Sequence, residues 1–226
     1  MLLPKEKTLI CARCHEKLAV KRYVHHNIDE MVCAACFDRW SLQDVAADNL
    51  IQLESLRRGG KHDEALACVD AMLEAHRHLD HDGYLARTVA HERALTLFHA
   101  GRYAASERAY RAWAQLGFED VSERWMNALG MAETLEALGR DREALTVLED
   151  ALGYEDAKYL PSVRSVLNEL VRFSEKLALP VDPKWLEVAA ALAERYGVEM
   201  PVRDSPGDAI RALEDAIGEN ATETLE

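Results

Sequence analysis

Apolar residues recur at intervals of three and four along most of the chain beyond residue 45, which predicts amphipathic helices. The first three stripes are Leu50, Leu53 and Leu56; Ala90, Ala94 and Leu97; and Trp125, Leu129, Ala132 and Leu135. Each is followed by a partner stripe: Ala65, Val69, Met72 and Leu73; Ala109, Ala112, Trp113 and Leu116; and Ala144, Leu148, Ala151 and Leu152. The pattern therefore predicts three successive helical hairpins.

A glycine lies between the two stripes of each predicted hairpin. These glycines are Gly60, Gly101 and Gly139, separated by 41 and 38 residues. Glycine ends a helix and permits a tight reversal, and a lone helical hairpin buries its stripe only by stacking on a neighbour. Residues 45–157 resemble tetratricopeptide repeats, although the intervals exceed the usual length of about 34 residues. A helical bundle with coincidental glycine turns stays open as an alternative.

Further helices are predicted towards the C-terminus, over residues 162–178, from Pro183 to about Tyr196, and from Pro206 through Ile217. Asp182 and Ser205 each precede a proline, which is typical of a helix start. Residues 218–226 are expected to form a frayed acidic tail. A capping-box-like segment at Ser41 predicts that the first repeat helix begins there.

Four cysteines near the N-terminus form two C-x-x-C pairs, Cys11 with Cys14 and Cys33 with Cys36. Two such pairs at this separation are typical of a structural zinc site, because each turn brings two thiolates to one point. Alternating apolar residues between the pairs, from Leu18 to Val32, predict a short β-hairpin that reverses at His26 and Asn27. The segment resembles zinc-ribbon and treble-clef modules.

The predicted fold class is therefore mostly α, a tetratricopeptide-like solenoid of helical hairpins preceded by a small four-cysteine zinc module with a β-hairpin. The expected domains are residues 1–41, 42–158 and 159–226. Phe37 and Trp40 are expected to join the module to the first helix. Two disulfides, a c-type haem attachment at Cys11–His15 and a redox-active pair are the less favoured interpretations of the motif. Cys68 lies in an apolar stripe and is expected to be a core residue.

Charge is distributed unevenly along the chain. The net charge is −13, yet residues 1–40 carry seven basic and five acidic residues. The remaining, strongly acidic part disfavours DNA and favours a basic or apolar partner. The charged N-terminus and the absence of a long apolar run lead us to expect a cytoplasmic protein.

The tetratricopeptide resemblance implies a groove lined by the first helix of each hairpin, which binds a protein or peptide. The positions that match are Leu50, Glu54, Arg57, Arg58, Thr88, His91, Leu95, Phe98, His99, Met126, Leu129, Glu133 and Glu136. A histidine-rich segment containing His76, His78 and His81 is interpreted as a solvated loop, with metal binding as the alternative.

No common enzyme motif occurs in the sequence, so we expect a non-enzymatic scaffold or adaptor with a structural zinc ion. One alternative is a nucleic-acid-associated regulator. Its surface would consist of Lys5, Lys7, Arg13, Lys17, Lys21, Arg22 and Arg39, with Tyr23 and Phe37 as stacking residues. A redox switch, in which thiolate oxidation releases zinc, is a further alternative.

Overall fold

A β-hairpin followed by helices makes up the computed structural model, which describes residues 10–17, 19, 21–25, 28–80, 82–152, 163–201, 203 and 205–223. Strands β1 (Lys21–His25) and β2 (Ile28–Val32) pair antiparallel, with Tyr23 opposite Glu30. The helices are α1 (Ala34–Arg58), α2 (His62–His76), α3 (Tyr84–His99), α4 (Tyr103–Leu116), α5 (Val121–Ala137), α6 (Asp141–Leu152), α7 (Val163–Lys176), α8 (Pro183–Arg195) and α9 (Pro206–Glu223). The predicted mostly helical class with an N-terminal hairpin is confirmed, while the predicted reversal at His26 and Asn27 lies outside the described residues.

Helix α1 is longer than the sequence pattern predicts. Its cap is Cys33, and it continues without interruption for 25 residues, so the predicted helix start at Ser41 is wrong. The Ser41 hydroxyl instead donates to the Phe37 carbonyl one turn earlier, at 2.9 Å, as serines inside helices do. No proline or glycine separates Cys33 from Ser41, so nothing stops the helix from starting at the earlier cap. The predicted boundary at residue 41 therefore lies within one helix.

The glycine turns adopt the backbone conformation that the predicted hairpins need. Gly60, Gly101 and Gly139 have φ angles of 70°, 69° and 73°, in the left-handed region that favours glycine. After α1, the Lys61 amide donates to the Leu56 carbonyl at 2.9 Å, and Arg140 donates to Leu135 in the same way after α5. These Schellman-type bonds satisfy carbonyls at the helix ends. They turn the chain so that α2 packs back along α1, and α6 packs back along α5.

The chain divides into two compact units, residues 1–99 and 100–226. In the first, α1, α2 and α3 enclose a core that includes Leu42, Leu53, Val69 and Leu85. In the second, α4 packs on α5, α5 on α6, and α6 on α7, while α9 packs on α7 and α8. The large buried side chains of the second unit are Trp113, Trp125, Trp185, Tyr110 and Phe173.

The C-terminal helices begin where the capping residues predict. The Asp182 carboxylate accepts from the Lys184 amide at 2.9 Å, and the Ser205 hydroxyl accepts from the Asp208 amide at 3.1 Å. The expected frayed tail from residue 218 is wrong as far as residue 223, because α9 continues to Glu223. Residues 218–223 contain no proline, and an established helix extends readily through such a segment.

Candidate metal centre

The four cysteines of the two C-x-x-C pairs lie together at the N-terminal end of the first unit. Their sulfur atoms all lie within 4.8 Å of one another, and none forms a disulfide. A tetrahedral ion with metal–sulfur bonds of about 2.3 Å would place its sulfur ligands about 3.8 Å apart. The cluster of Cys11, Cys14, Cys33 and Cys36 can therefore hold one metal ion, as the sequence predicts.

Backbone hydrogen bonds shape the first cysteine turn. The His15 amide donates to the Cys11 carbonyl at 3.1 Å, and the Cys11 amide donates to the Lys17 carbonyl at 2.8 Å. His15 has a φ of 56°, which turns the chain back after Cys14. The Arg13 amide points at the Cys11 sulfur, 3.4 Å away, so this turn offers a hydrogen bond to a thiolate.

The second cysteine pair sits at the start of α1. Cys33 is the cap of the helix with an extended backbone, and Cys36 lies in its first turn. The Phe37 amide donates to the Cys33 carbonyl at 3.0 Å, and the Ala12 amide donates to the Met31 carbonyl at 3.1 Å. The two cysteine turns are therefore positioned by the end of β2 and by the first turn of α1.

The cysteine thiols differ in their acidity. Burial by itself raises the pKa of Cys11, but hydrogen bonds from the backbone amides of Cys14, Cys33 and Arg13 outweigh it and lower the value to about 6. Burial, followed by hydrogen bonds to the other cysteine sulfurs, raises the pKa of Cys36 to about 12. The Cys11 thiolate thus forms readily, whereas Cys36 retains a proton that a metal ion would displace.

Aromatic rings cover the cysteine cluster. The ring of Tyr23, a buried residue of β1, lies 4.3 Å from that of Trp40 and 6.0 Å from that of Phe37, measured between centroids. The Arg13 guanidinium stacks on Trp40 at 4.1 Å. Phe37 and Trp40 belong to α1 and pack against the buried cysteines, so these two residues join the module to the helix as predicted.

Several of the basic residues considered for nucleic-acid binding have acidic partners within the first unit. The Lys21 ammonium lies 2.9 Å from the Asp38 carboxylate, and Arg13 lies 3.4 Å from Glu30. Arg39 forms an ion pair with Asp82 and stacks on Tyr84 at 4.2 Å. The proposed stacking residue Tyr23 is buried, while Lys5 and Lys7 lie outside the described residues.

Two of the predicted groove residues of the first unit make internal contacts. Arg57, only 8% exposed, donates to the Glu92 carboxylate and to Glu54 at 3.1 Å. The Thr88 hydroxyl donates to the Tyr84 carbonyl at 3.0 Å, within α3. Arg58 is different: its side chain is 80% exposed and pairs with Glu54 at 2.7 Å.

The remaining groove residues of the first unit lie on α3. His91 places its Nδ1 3.6 Å from the Glu92 carboxylate. The rings of Phe98 and His99 meet edge to face with their centroids 5.8 Å apart, and His99 is exposed. All three lie near the surface of the unit rather than in its core.

A shallow cleft of about 550 Å³ lies along α1 and contains part of the predicted groove. Its lining residues are Leu50, Ile51, Glu54, Ser55 and Arg58. Ile51 is 75% exposed, an unusual position for a large apolar side chain. Ile51 lies beside the predicted stripe of Leu50, Leu53 and Leu56 and was not predicted as a groove residue. An isoleucine next to that stripe was the available signal.

The second unit contains the last four of the predicted groove positions, of which Met126 and Glu133 are exposed. Partial burial of the Glu133 carboxylate, reinforced by nearby Glu169, raises the pKa of Glu133.

In the histidine-rich segment of the first unit, His78 is exposed, and His81 lies outside the described residues. Across the described residues, the four cysteines form the only cluster of three or more side chains able to hold a metal ion.

Comparison with known protein families and with curated proteins finds no match to this chain. None of the helices in the described ranges is long and apolar enough to cross a membrane.

Proposed function

We propose that the protein is a scaffold in which a structural zinc ion holds the N-terminal module on helical hairpins of the tetratricopeptide type, and that these hairpins bind another protein. The observation that carries the proposal is the position of the thiol cluster. Cys33 and Cys36 belong to the cap and first turn of α1, and the same helix continues into the first hairpin. Metal binding would therefore fix the N-terminal end of α1, the helix on which α2 and α3 of the first unit pack.

Zinc is the ion that best suits the donor set. Four cysteine sulfurs form a typical structural zinc site, and a site filled by four protein ligands leaves no position for a substrate. About 40 residues bury too little apolar area to fold alone, and zinc binding to such sites supplies on the order of 10–16 kcal/mol. This favours a structural role over a catalytic one.

The cleft along α1 is the partner surface that we propose for the first unit. It presents the exposed Ile51 between the predicted groove residues Leu50 and Glu54, with Arg58 at one end. An apolar side chain of a partner would cover Ile51 and remove its surface from water. A helix held in place before binding loses little conformational entropy when the partner arrives.

The zinc site can be tested by measuring the metal content of the purified chain. We expect one zinc ion per chain, lost when Cys11 or Cys33 is replaced by serine and retained in Cys68→Ser. Cys68 is a matched control because its sulfur lies 3.7 Å from Asn49 Oδ1, away from the cluster. A chain that folds fully and keeps its thermal stability in a strong chelator would contradict a structural role.

The partner surface can be tested by affinity capture with the full chain and with Ile51→Asp. We expect partners captured by the wild type to be lost in Ile51→Asp but retained in Leu116→Asp. Leu116 is an exposed apolar residue of α4 and serves as the control. Equal capture by the two variants would contradict the assignment of the cleft.

The two alternative functions have less support. A nucleic-acid surface would need the basic residues of the module, but Arg13, Lys21 and Arg39 already pair with carboxylates. A salt-dependent mobility shift with the full chain would favour this alternative over a protein partner. For the redox alternative, the test is whether mild peroxide releases the metal, because thiol oxidation removes the ligands.

A further inference from the structure

A second cleft, of about 510 Å³, opens in the C-terminal unit. It lies where α6 and α7 meet the segment that leads into α8, and its walls include the apolar side chains of Leu145, Leu179 and Val181. Its volume is within the range of about 300–1,000 Å³ that is usual for ligand sites. The cleft is separate from the α1 surface, and the inference drawn from it does not depend on the function proposed above.

Two residues that line this cleft carry buried hydrogen-bond donors without a partner among the described residues. Ser174 of α7 and Trp185 of α8 are each 1% exposed. Within the described part of the chain, neither the Ser174 hydroxyl nor the Trp185 Nε1 has a hydrogen-bond partner. Burying such groups without partners destabilises a fold, so their position on a cleft wall favours an acceptor supplied from outside.

Another tryptophan of the same unit shows what a structural indole does. Trp125 is also buried, and its Nε1 donates to the Ala151 carbonyl at 3.2 Å. The indole N–H of Trp125 is therefore hydrogen-bonded within the fold and needs no ligand. Trp125 and Trp185 thus differ in whether the indole nitrogen is bonded within the described residues.

The charge around the cleft restricts the acceptor that can enter. Residues 100–226 carry 14 basic and 25 acidic residues, a net charge of −11. Glu149 and Asp182 line the cleft; Asp182 pairs with Lys184 at 3.4 Å, whereas Glu149 has no ion-pair partner among the described residues. A carboxylate or phosphate ligand would be repelled here, while a neutral carbonyl oxygen beside a positive charge would be attracted.

We propose that this cleft binds a short extended peptide containing an aliphatic residue next to lysine or arginine. The aliphatic side chain would pack against Leu145 and Val181. Backbone carbonyls of the peptide would accept hydrogen bonds from Ser174 and Trp185. The neighbouring basic side chain would pair with Glu149. The two donors and the Glu149 carboxylate have no other partner among the described residues.

The experiment is selection of a random dodecapeptide phage library on the full chain, followed by titration of the enriched synthetic peptides. We expect enriched peptides to share an aliphatic residue beside lysine or arginine. Their affinity should fall about tenfold, equivalent to about 1.4 kcal/mol, in Ser174→Ala and in Trp185→Phe. Glu149→Gln should weaken binding of the cationic peptides in the same direction, and Trp125→Phe should leave binding unchanged.

Thermal unfolding without and with peptide distinguishes a binding role from a packing role. Ser174→Ala removes a buried hydroxyl that has no partner, so the free variant should unfold at the same temperature as the wild type or higher. Saturating peptide should raise the unfolding temperature of the wild type more than that of the variant.

Several results would overturn the proposal. Absence of enriched peptides, enrichment of acidic peptides, or affinities unaffected by Ser174→Ala and Trp185→Phe would each exclude a cationic peptide as the occupant. Self-association of the wild type that Ser174→Ala and Trp185→Phe abolish would identify a second copy of the chain as the occupant instead. Loss of stability in free Ser174→Ala would show that the hydroxyl has a structural partner within the fold.

Discussion

Arg57 of α1 donates a hydrogen bond to the carboxylate of Glu92 in α3, and both side chains are buried. The two residues are 35 positions apart, so the pair ties the first hairpin to the helix that follows it. The tetratricopeptide resemblance places Arg57 in a partner-binding groove, but its charge is already neutralised inside the unit. A buried pair of this kind helps stability only while both partners are present.

Arg57→Met should lower the free energy of unfolding by about 3–5 kcal/mol, because it leaves the Glu92 carboxylate buried without a cation. The double variant Arg57→Met, Glu92→Met should recover most of that loss. Arg58→Ala, on the exposed side of the same turn, should change stability by less than about 0.5 kcal/mol. Urea unfolding measures all three, and equal losses in the single and double variants would contradict the pairing.

Gly130→Ala should destabilise the second unit although alanine normally favours a helix. A Cβ at Gly130 in α5 would overlap the ring of Tyr110 in α4, with Cε1 only 2.8 Å away. Such overpacking costs about 1–3 kcal/mol, more than the gain of about 1 kcal/mol in helix propensity. In a Tyr110→Ala background the same substitution should become neutral or stabilising. Denaturation of the four chains in a double-mutant cycle checks this change of sign.

Ala178→Gly should stabilise the protein by about 1 kcal/mol, because left-handed backbone is unfavourable for a residue with a Cβ. Ala178 has a φ of 53° at the end of α7, where the Leu179 amide donates to the Ser174 carbonyl at 2.8 Å. At the exposed position Ala190, inside α8, the same change should destabilise by about 1 kcal/mol. Thermal unfolding that moves both variants in the same direction would contradict the assignment of strain to Ala178.

Acid should remove the contribution that one ion-pair cluster of the second unit makes to the free energy of unfolding. Hydrogen bonds from Arg172, and then from Lys176, lower the pKa of Glu136 from 4.5 to about 2, although partial burial opposes them. A lowered pKa in the folded state means that the stabilisation is complete above the unfolded value of 4.5 and is lost as the pH falls towards 2.

Replacing Glu136 by Gln should therefore cost about 1–2 kcal/mol at neutral pH, allowing for solvent screening of the exposed cations. The difference from the wild type should shrink below pH 4.5 and vanish only below about pH 2. Glu187→Gln, at an exposed position of α8, is the control and should behave as the wild type throughout. Chemical denaturation across this pH range makes the comparison; a difference that persists at the acid end would contradict the cause given for Glu136.

The first and third hairpins and the cysteine cluster were predictable because their signals are local. A glycine such as Gly139 sets the turn at its own position, and the C-x-x-C spacing by itself places two sulfurs side by side. The start of α1 was mispredicted for the same reason. Ser41 carries a valid local start signal, but the helix had already begun at Cys33, where the second cysteine pair lies.

Features that depend on distant residues were not predictable from the sequence. Arg57 is an ordinary surface residue in the sequence pattern until Glu92 is brought against it by the packing of α3 on α1. The donors of Ser174 and Trp185 stand out only in the folded structure, because what distinguishes them is the lack of a nearby acceptor. No motif or period in the sequence encodes such a lack.

The unbroken run of α1 from the thiol cluster into the first hairpin makes it a stiff rod about 37 Å long. One end is held by the sulfurs of Cys33 and Cys36, and the other ends at Arg58. A tilt of about 10° at the cysteine end would displace the far end by about 6 Å, more than one helical turn. A change at the sulfurs would therefore move the Arg58 end of the same helix.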